Sequence, residues 1–243
     1  MSGKNQFLYY TSLLTIANEN ALLCHKMKNI SRFEKNKLSR KEREYNRHRR
    51  EILEVALDLF SKKGLYAVTM VDIAKESEFA VGTIYKFFKN KEDIYKVLVI
   101  EKVSEFHILL NNALATKGTE IEKINLWVKE KFRIFNINKN FVKLYLAEAM
   151  GVDSNVKVGL KTEIKKMYED MLNSLEQIFK QCVQKGIIIK EDPHILALTL
   201  DDISNTLFFK HIETPDKYKI NPEIVLNIFY NKIIMDKTDD EAV

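Results

Sequence analysis

The chain has 243 residues, with 39 Lys or Arg against 34 Asp or Glu, a formal charge of +5, and only 7 Gly and 3 Pro. So few turn residues argue against a sheet protein and for an all-α chain, long enough for a small head and one larger helical domain. The two cysteines, Cys24 and Cys182, have neither metal nor redox spacing, which fits a reducing, cytoplasmic compartment rather than a disulfide scaffold.

The charge is unevenly placed. Residues 1–25 cancel, with Lys4 against Glu19, whereas residues 26–50 hold 11 Lys or Arg and 3 Glu, a net of +8, so residues 51–243 sum to 5 − 8 = −3. The run from Phe7 to Ala17 is apolar-leaning, but Thr11, Ser12 and Thr15 interrupt it. It makes a poor signal peptide and is too short to span a bilayer. Two readings stay open, an extra helix or a true translation start at Met27, and the second is preferred. The basic stretch is expected to be a flexible arm. Arg40, Lys41, Arg43, Arg47, Arg49 and Arg50 would follow phosphates or reach an adjacent minor groove. The alternative is a solvated, partly helical leader.

The first strongly patterned helix carries Ile52, Val55, Ala56, Leu59 and Phe60 on one face, and Gly64 ends it. Thr69 with Asp72 has the layout of a capping box, so a short second helix follows, burying Val71, Ile73 and Ala74 in part. After Ser77–Ala80 the pattern restarts at Val81, giving a third helix with Thr83, Ile84, Tyr85, Phe87 and Phe88. Asn90 with Asp93 caps a fourth. Two short helices at a sharp turn describe a helix-turn-helix, whose second helix lies in the major groove. Its exposed early residues are Ala80, Val81, Gly82, Thr83, Tyr85 and Lys86: small residues for close approach, hydroxyls for phosphate oxygens, and a charge for phosphate or guanine. Lys91 would stand beside free N–H groups that favour a phosphate. Ile84 and Phe88 are expected in the core. With Arg47, Arg49 and Thr69 added, these ten residues are the candidate DNA-binding set.

The run GTIYKFFKNKEDI, preceded by LFSKKG and TMVDIA, resembles the DNA-binding head of the tetracycline-repressor (TetR) family of bacterial transcription regulators over about Arg49 to Leu98. The resemblance implies backbone contacts for Thr83, Tyr85 and Lys91, and sequence reading by Ala80, Val81 and Lys86. Two positions depart from the pattern. Glu78 stands where the family often has Gly in the turn, and Phe87 where His or Tyr is more frequent.

Beyond the head the helices lengthen. A fourth is expected over about 91–115, a fifth from the Thr119/Glu122 cap to about Asn136, and a sixth over about 140–150. Val156, Leu160, Ile164, Met167, Met171, Leu175, Ile178 and Cys182 form one stripe on a seventh, closed by Gly186. Asp192-Pro193 and Asn221-Pro222 start helices of about 193–211 and 222–235. These last two carry apolar residues on more than one side, as expected where a second copy covers them, and the resemblance implies a homodimer through C-terminal helices. The acidic pair Asp201-Asp202 interrupts the first of them and is expected to be a polar seam or a solvent-facing edge.

The expected organisation is an N-terminal extension with basic arm (1–46), a helix-turn-helix DNA-binding domain (47–90), an effector-binding and dimerisation domain (91–236) and a tail (237–243). The resemblance, more than the pattern, implies an effector pocket, for which Trp127, Phe135, Tyr145, Glu148, Met167, Tyr168 and Met171 are the candidates, with Arg133 as a further polar anchor. Taken one at a time, such apolar residues are more often plain core. The expected partners are a double-stranded, palindromic DNA operator, a small apolar effector and a second copy of the chain, with no membrane. No cofactor or metal is expected, because no phosphate loop, nucleophile elbow or paired histidine occurs, and the five histidines are scattered. The expected function is a ligand-responsive transcriptional regulator that acts as a repressor. The alternative is an effector-independent architectural or partner-recruiting DNA binder on the same scaffold.

Overall fold

The structure is a computed structural model that describes residues 39–150 and 156–231, and the side chains within them except at 147–150 and 156–161. The described residues form helices joined by turns. In chain order these are α1 (Arg40–Lys63), α2 (Met70–Glu76), α3 (Val81–Phe87), α4 (Lys91–Leu114), α5 (Glu120–Ile137), α6 (Lys139–Met150), α7 (Val156–Gln184), α8 (Pro193–Glu213) and α9 (Pro222–Tyr230). The chain divides into two compact units between Ile52 and Leu53.

Side-chain caps set most of the helix starts. Thr69 and Asp72 form the complete capping box of α2, and Thr119 with Glu122 that of α5. The Asn90 side chain caps α4 by accepting from the Asp93 amide at 2.8 Å. Asp192 and Asn221 cap α8 and α9, each followed by Pro at the first helical position.

Two helix ends share one device. After α7, Gly186 takes a left-handed φ of 65°, its amide bonds the Val183 carbonyl, and the Ile187 amide bonds that of Cys182. After α2, Glu78 takes φ 57°, its amide bonds Lys75 and the Phe79 amide bonds Ala74. Both are Schellman motifs, but the second puts a side chain where glycine is easiest.

α4 packs on α5 and α7, α7 on α8, α5 on α7, α6, α8 and α9, and α9 on α8, while α2 packs on α3. One apolar cluster fills the larger bundle. It includes Trp127, Phe132, Phe135, Leu175, Phe179, Leu200, Phe208, Val225 and Phe229, and each such side chain stabilises the fold by about 1.5–3 kcal/mol.

Several expectations need correction. The basic residues from Arg40 onward belong to α1 and are helical rather than a flexible arm. The reason is a cap that sequence reading passed over: Ser39 donates its amide to Glu42 at 2.7 Å and accepts the Glu42 amide at 3.2 Å, a Ser-x-x-Glu box at the helix start. Val71 is 60% exposed, and Met70 takes the buried place on α2 instead. Phe88 is buried but sits just past α3 as its C-cap. Asp201 is buried while Asp202 is exposed, so the acidic pair divides between core and solvent. The described α9 ends at Tyr230. The expected readings of residues 1–38, the far end of the 222–235 helix and the 237–243 tail lie outside the described residues.

Candidate nucleic-acid interface

α3 is seven residues long and shows an uneven surface. Ile84 is fully enclosed, whereas Ala80, Gly82, Tyr85 and Lys86 are exposed, with Val81 and Thr83 half-buried between them. The backbone before the helix is extended at Ala80, which offers no side-chain cap; the Thr83 amide bonds the Ala80 carbonyl at 2.7 Å, and those of Val81 and Gly82 have no side-chain cap. Tyr85 is 54% exposed. Of the six residues expected to face the groove, five lie on this short helix and Ala80 stands at its N-cap; four are exposed and two half-buried.

Gly82 is the most telling of them. A Cβ built there would meet nothing within 4 Å, so the protein's own packing does not require glycine. A glycine inside a helix costs roughly 0.5–1 kcal/mol relative to Ala.

The remaining candidates are more occupied. The Thr69 hydroxyl bonds the Asp72 carboxylate at 2.6 Å and also accepts the Asp72 amide at 3.1 Å. These bonds to Thr69 hold the Asp72 carboxyl below its ordinary value, and Thr69 acts first as the cap of α2. Lys91 does not simply face outward. Its ammonium donates to the carbonyls of Tyr66 at 2.8 Å and Val68 at 3.0 Å, fastening the α1–α2 loop to the first turn of α4. These two bonds use two of its three protons. On α1, Arg47 pairs with Glu51 at 3.1 Å and lies 2.9 Å from His48 Nε2. Over Arg40–Ile52 there are six Arg or Lys against three Glu, 6 − 3 = +3, on one helical segment. Arg49 lies in this segment and is half-buried.

The six effector candidates whose side chains are described differ in burial. Trp127, Phe135 and Met171 are buried in the same apolar cluster, where Phe135 stacks on Phe208 with ring centres 4.2 Å apart. Tyr145 is half-buried against Phe141 at 6.1 Å, and Phe141 meets Phe106 of α4 edge-on at 5.7 Å. Met167 and Tyr168 lie side by side on α7. Arg133 is bonded to Glu130 one turn earlier on the surface. The Glu148 and Met150 side chains, like those of Val156 and Leu160, lie outside the described residues.

Sequence reading missed a buried polar node. Lys131 of α5 is paired with Asp201 of α8, and its ammonium also donates to the Asp201 carbonyl at 3.0 Å. The other Asp201 oxygen accepts from Tyr168 at 3.0 Å and Asn205 at 2.8 Å. Desolvation lowers the Lys131 pKa and Asp201 opposes it. Burial and the neighbouring carboxylate raise that of the Tyr168 hydroxyl, so it stays a donor. A signal was present: Lys131 falls four residues after Trp127 and four before Phe135, inside the apolar stripe of α5.

Among the described residues no group of three His, Cys, Asp or Glu is placed to hold a metal ion, and no helix is long and apolar enough to cross a membrane. Residues 52–98 match the family described as bacterial regulatory proteins, tetR family. The fatty acid metabolism regulator protein of Bacillus subtilis (strain 168) is 30% identical over 138 residues, 57% of this chain and 69% of that one. Among solved structures, FadR from Bacillus subtilis in complex with stearoyl-CoA aligns at a TM-score of 0.63 and 24% identity, over 74% of this chain and 96% of that one. A SmeT–triclosan complex aligns at 0.64 and 17%, over 78% and 93%. With the helix-turn-helix inside the matched span and one relative matched over more than two thirds of its length, the chain belongs to the tetR family of bacterial regulatory proteins, DNA-binding transcriptional regulators rather than enzymes.

Proposed function

We propose that the chain is a repressor that grips a palindromic operator as a homodimer and lets go when an apolar effector binds the larger bundle. The observation that carries the DNA half is α3. Gly82, Tyr85 and Lys86 are exposed on it, as is Ala80 at its N-cap, and a Cβ at Gly82 would meet nothing within 4 Å. Arg47, Arg49 and the other basic residues of α1, together with the third proton of Lys91, supply phosphate contacts that set register. Two such heads must stand about 34 Å apart, or a multiple, to enter successive major grooves.

The dimer is supported by apolar surface at the C-terminal helices. Ile195, Ile224 and Ile228 are exposed. A groove of about 470 Å³ is lined by Thr199, Asp202, Ile203, Thr206, Leu207 and Ile228, so α8 and α9 offer both a ridge and a hollow to a second copy. An isologous contact uses one such patch twice.

The effector is proposed to be a long-chain acyl thioester, or an amphiphile of similar bulk, admitted beside α6, where Phe106, Phe141 and Tyr145 pack together. The names of the similar regulators support this class, since one is a fatty acid metabolism regulator and one was solved with stearoyl-CoA. Moving a dimer from mostly bound to mostly released takes a differential affinity of about 5 kcal/mol between the two states.

The experiment is genomic footprinting followed by mobility shift on the recovered operator, with stearoyl-CoA titrated in. Operator binding lost at micromolar acyl-CoA is expected. Failure to bind any genomic fragment overturns the DNA reading, and binding that ignores acyl-CoA overturns the effector class. One observation favours a second reading, a dimeric DNA binder with no effector: Trp127, Phe135 and Met171 are closed into the core. Operator binding indifferent to every amphiphile offered would establish it.

A further inference from the structure

We infer that Tyr168 is a positioning residue, tying the buried Lys131–Asp201 pair to α4, the helix that begins in the DNA-binding head. The inference rests on the proposed reading of the chain as an effector-released regulator only for its regulatory meaning, and its geometry is independent of it.

The buried pair joins α5 to α8 across 70 residues of sequence. The Lys131 ammonium lies 5.2 Å from the centre of the Trp127 ring and 5.9 Å from that of Phe208, so two aromatic faces and two oxygens of Asp201 enclose it. Ion pairs so enclosed are often replaceable by apolar residues without loss of stability, whereas removing one partner leaves a costly lone charge. What an apolar pair could not supply is the free oxygen of Asp201. That oxygen accepts from the hydroxyl of Tyr168, a residue 37% exposed.

The neighbouring residue faces α4. His107 Nδ1 lies 3.1 Å from the Met167 carbonyl, and Ser104 Oγ donates to Met167 Sδ at 3.7 Å. One turn of α7 is therefore bonded to α8 on one side and to α4 on the other. α4 in turn starts at Lys91, whose ammonium holds the Tyr66 and Val68 carbonyls of the head. The Asp201–Tyr168 bond fixes how far α7 sits along α4. A ligand that reaches Tyr168 from its exposed side frees that turn of α7 and changes the position of the head helix. Polar networks in a low dielectric are worth more joined than singly, and a coupling of this kind requires that both ends bias one movable element, here α7.

The test is hydrogen exchange of the DNA-free protein, read on peptides spanning Ser104–His107, for Tyr168→Phe against wild type. Exchange there is expected to rise by about fivefold, the loss of one ordinary hydrogen bond. Tyr230→Phe is the control, because its hydroxyl bonds Asn125 at 2.9 Å, joining α9 to α5. It removes the same atom and should leave Ser104–His107 unchanged. Lys131→Met/Asp201→Leu, which leaves no lone charge, should raise exchange at Ser104–His107 as Tyr168→Phe does. The inference is overturned if Tyr168→Phe leaves that segment unchanged, or if Tyr230→Phe loosens it equally. Exchange that rises as expected in a protein with no operator binding leaves the coupling standing and removes the proposed function.

Discussion

At the scale of single residues, the head separates side chains that hold it together from side chains left for a partner. Gly82 belongs to the second group, having open space where a Cβ would stand. Gly82→Ala should raise the stability of the head by roughly 0.5–1 kcal/mol through helix propensity. In the proposed reading the methyl meets the duplex, so operator binding should weaken at the same time. Thermal melts and mobility shifts measured together check this, and a variant more stable with unaltered affinity refutes the assignment. Lys91 belongs to both groups. Lys91→Ala strands the Tyr66 and Val68 carbonyls, so it should lower both Tm and operator affinity. Tyr85→Phe, at a position 54% exposed, should reduce affinity with Tm unchanged. Equal losses of Tm in the two variants would show that Lys91 is no more structural than Tyr85.

At the scale of elements, the caps made most of the fold legible. Thr69, Asn90, Thr119, Asp192 and Asn221 each put a side-chain acceptor on a nearby amide, and such signals act within four residues, the range in which sequence is directly informative. The family pattern made α3 legible as well. Two things were hidden for physical reasons. The Ser39 box was overlooked because a basic run reads as solvated chain, although one Glu at the right spacing suffices to start a helix there. The Lys131–Asp201 pair was hidden because its partners are 70 residues apart and only packing brings them together. The turn between α2 and α3 gives a prediction at this scale. Glu78 holds a φ of 57°, a conformation that costs most side chains about 1–2 kcal/mol, while glycine repays part of that gain as unfolded-state entropy. Glu78→Gly should therefore stabilise the head by about 0.5–1 kcal/mol, seen as a raised denaturant midpoint with unchanged slope. A midpoint that falls would mean the Glu78 side chain contributes a contact that outweighs the strain.

At the scale of the whole molecule, the proposed dimer makes operator affinity depend on two heads acting together, and the contact between copies is where that cooperation is most open to attack. Ile228 is 55% exposed and lines the groove on α8 and α9. Exposed substitutions usually shift the stability of a single chain by less than about 0.5 kcal/mol, so Ile228→Lys should fold with wild-type helicity. Across a two-fold axis the same change appears twice and faces apolar surface with a charge. The variant should sediment as a monomer at micromolar concentration. Its operator affinity should then fall by about 10²–10⁴, because the second head no longer binds at the high effective concentration the first provides. Single heads should still bind weakly and with a shallower salt dependence, since fewer phosphates are neutralised per binding event. If Ile228→Lys remains dimeric, the contact between copies lies elsewhere; if it is monomeric yet binds the operator as tightly as wild type, paired heads are not the source of affinity.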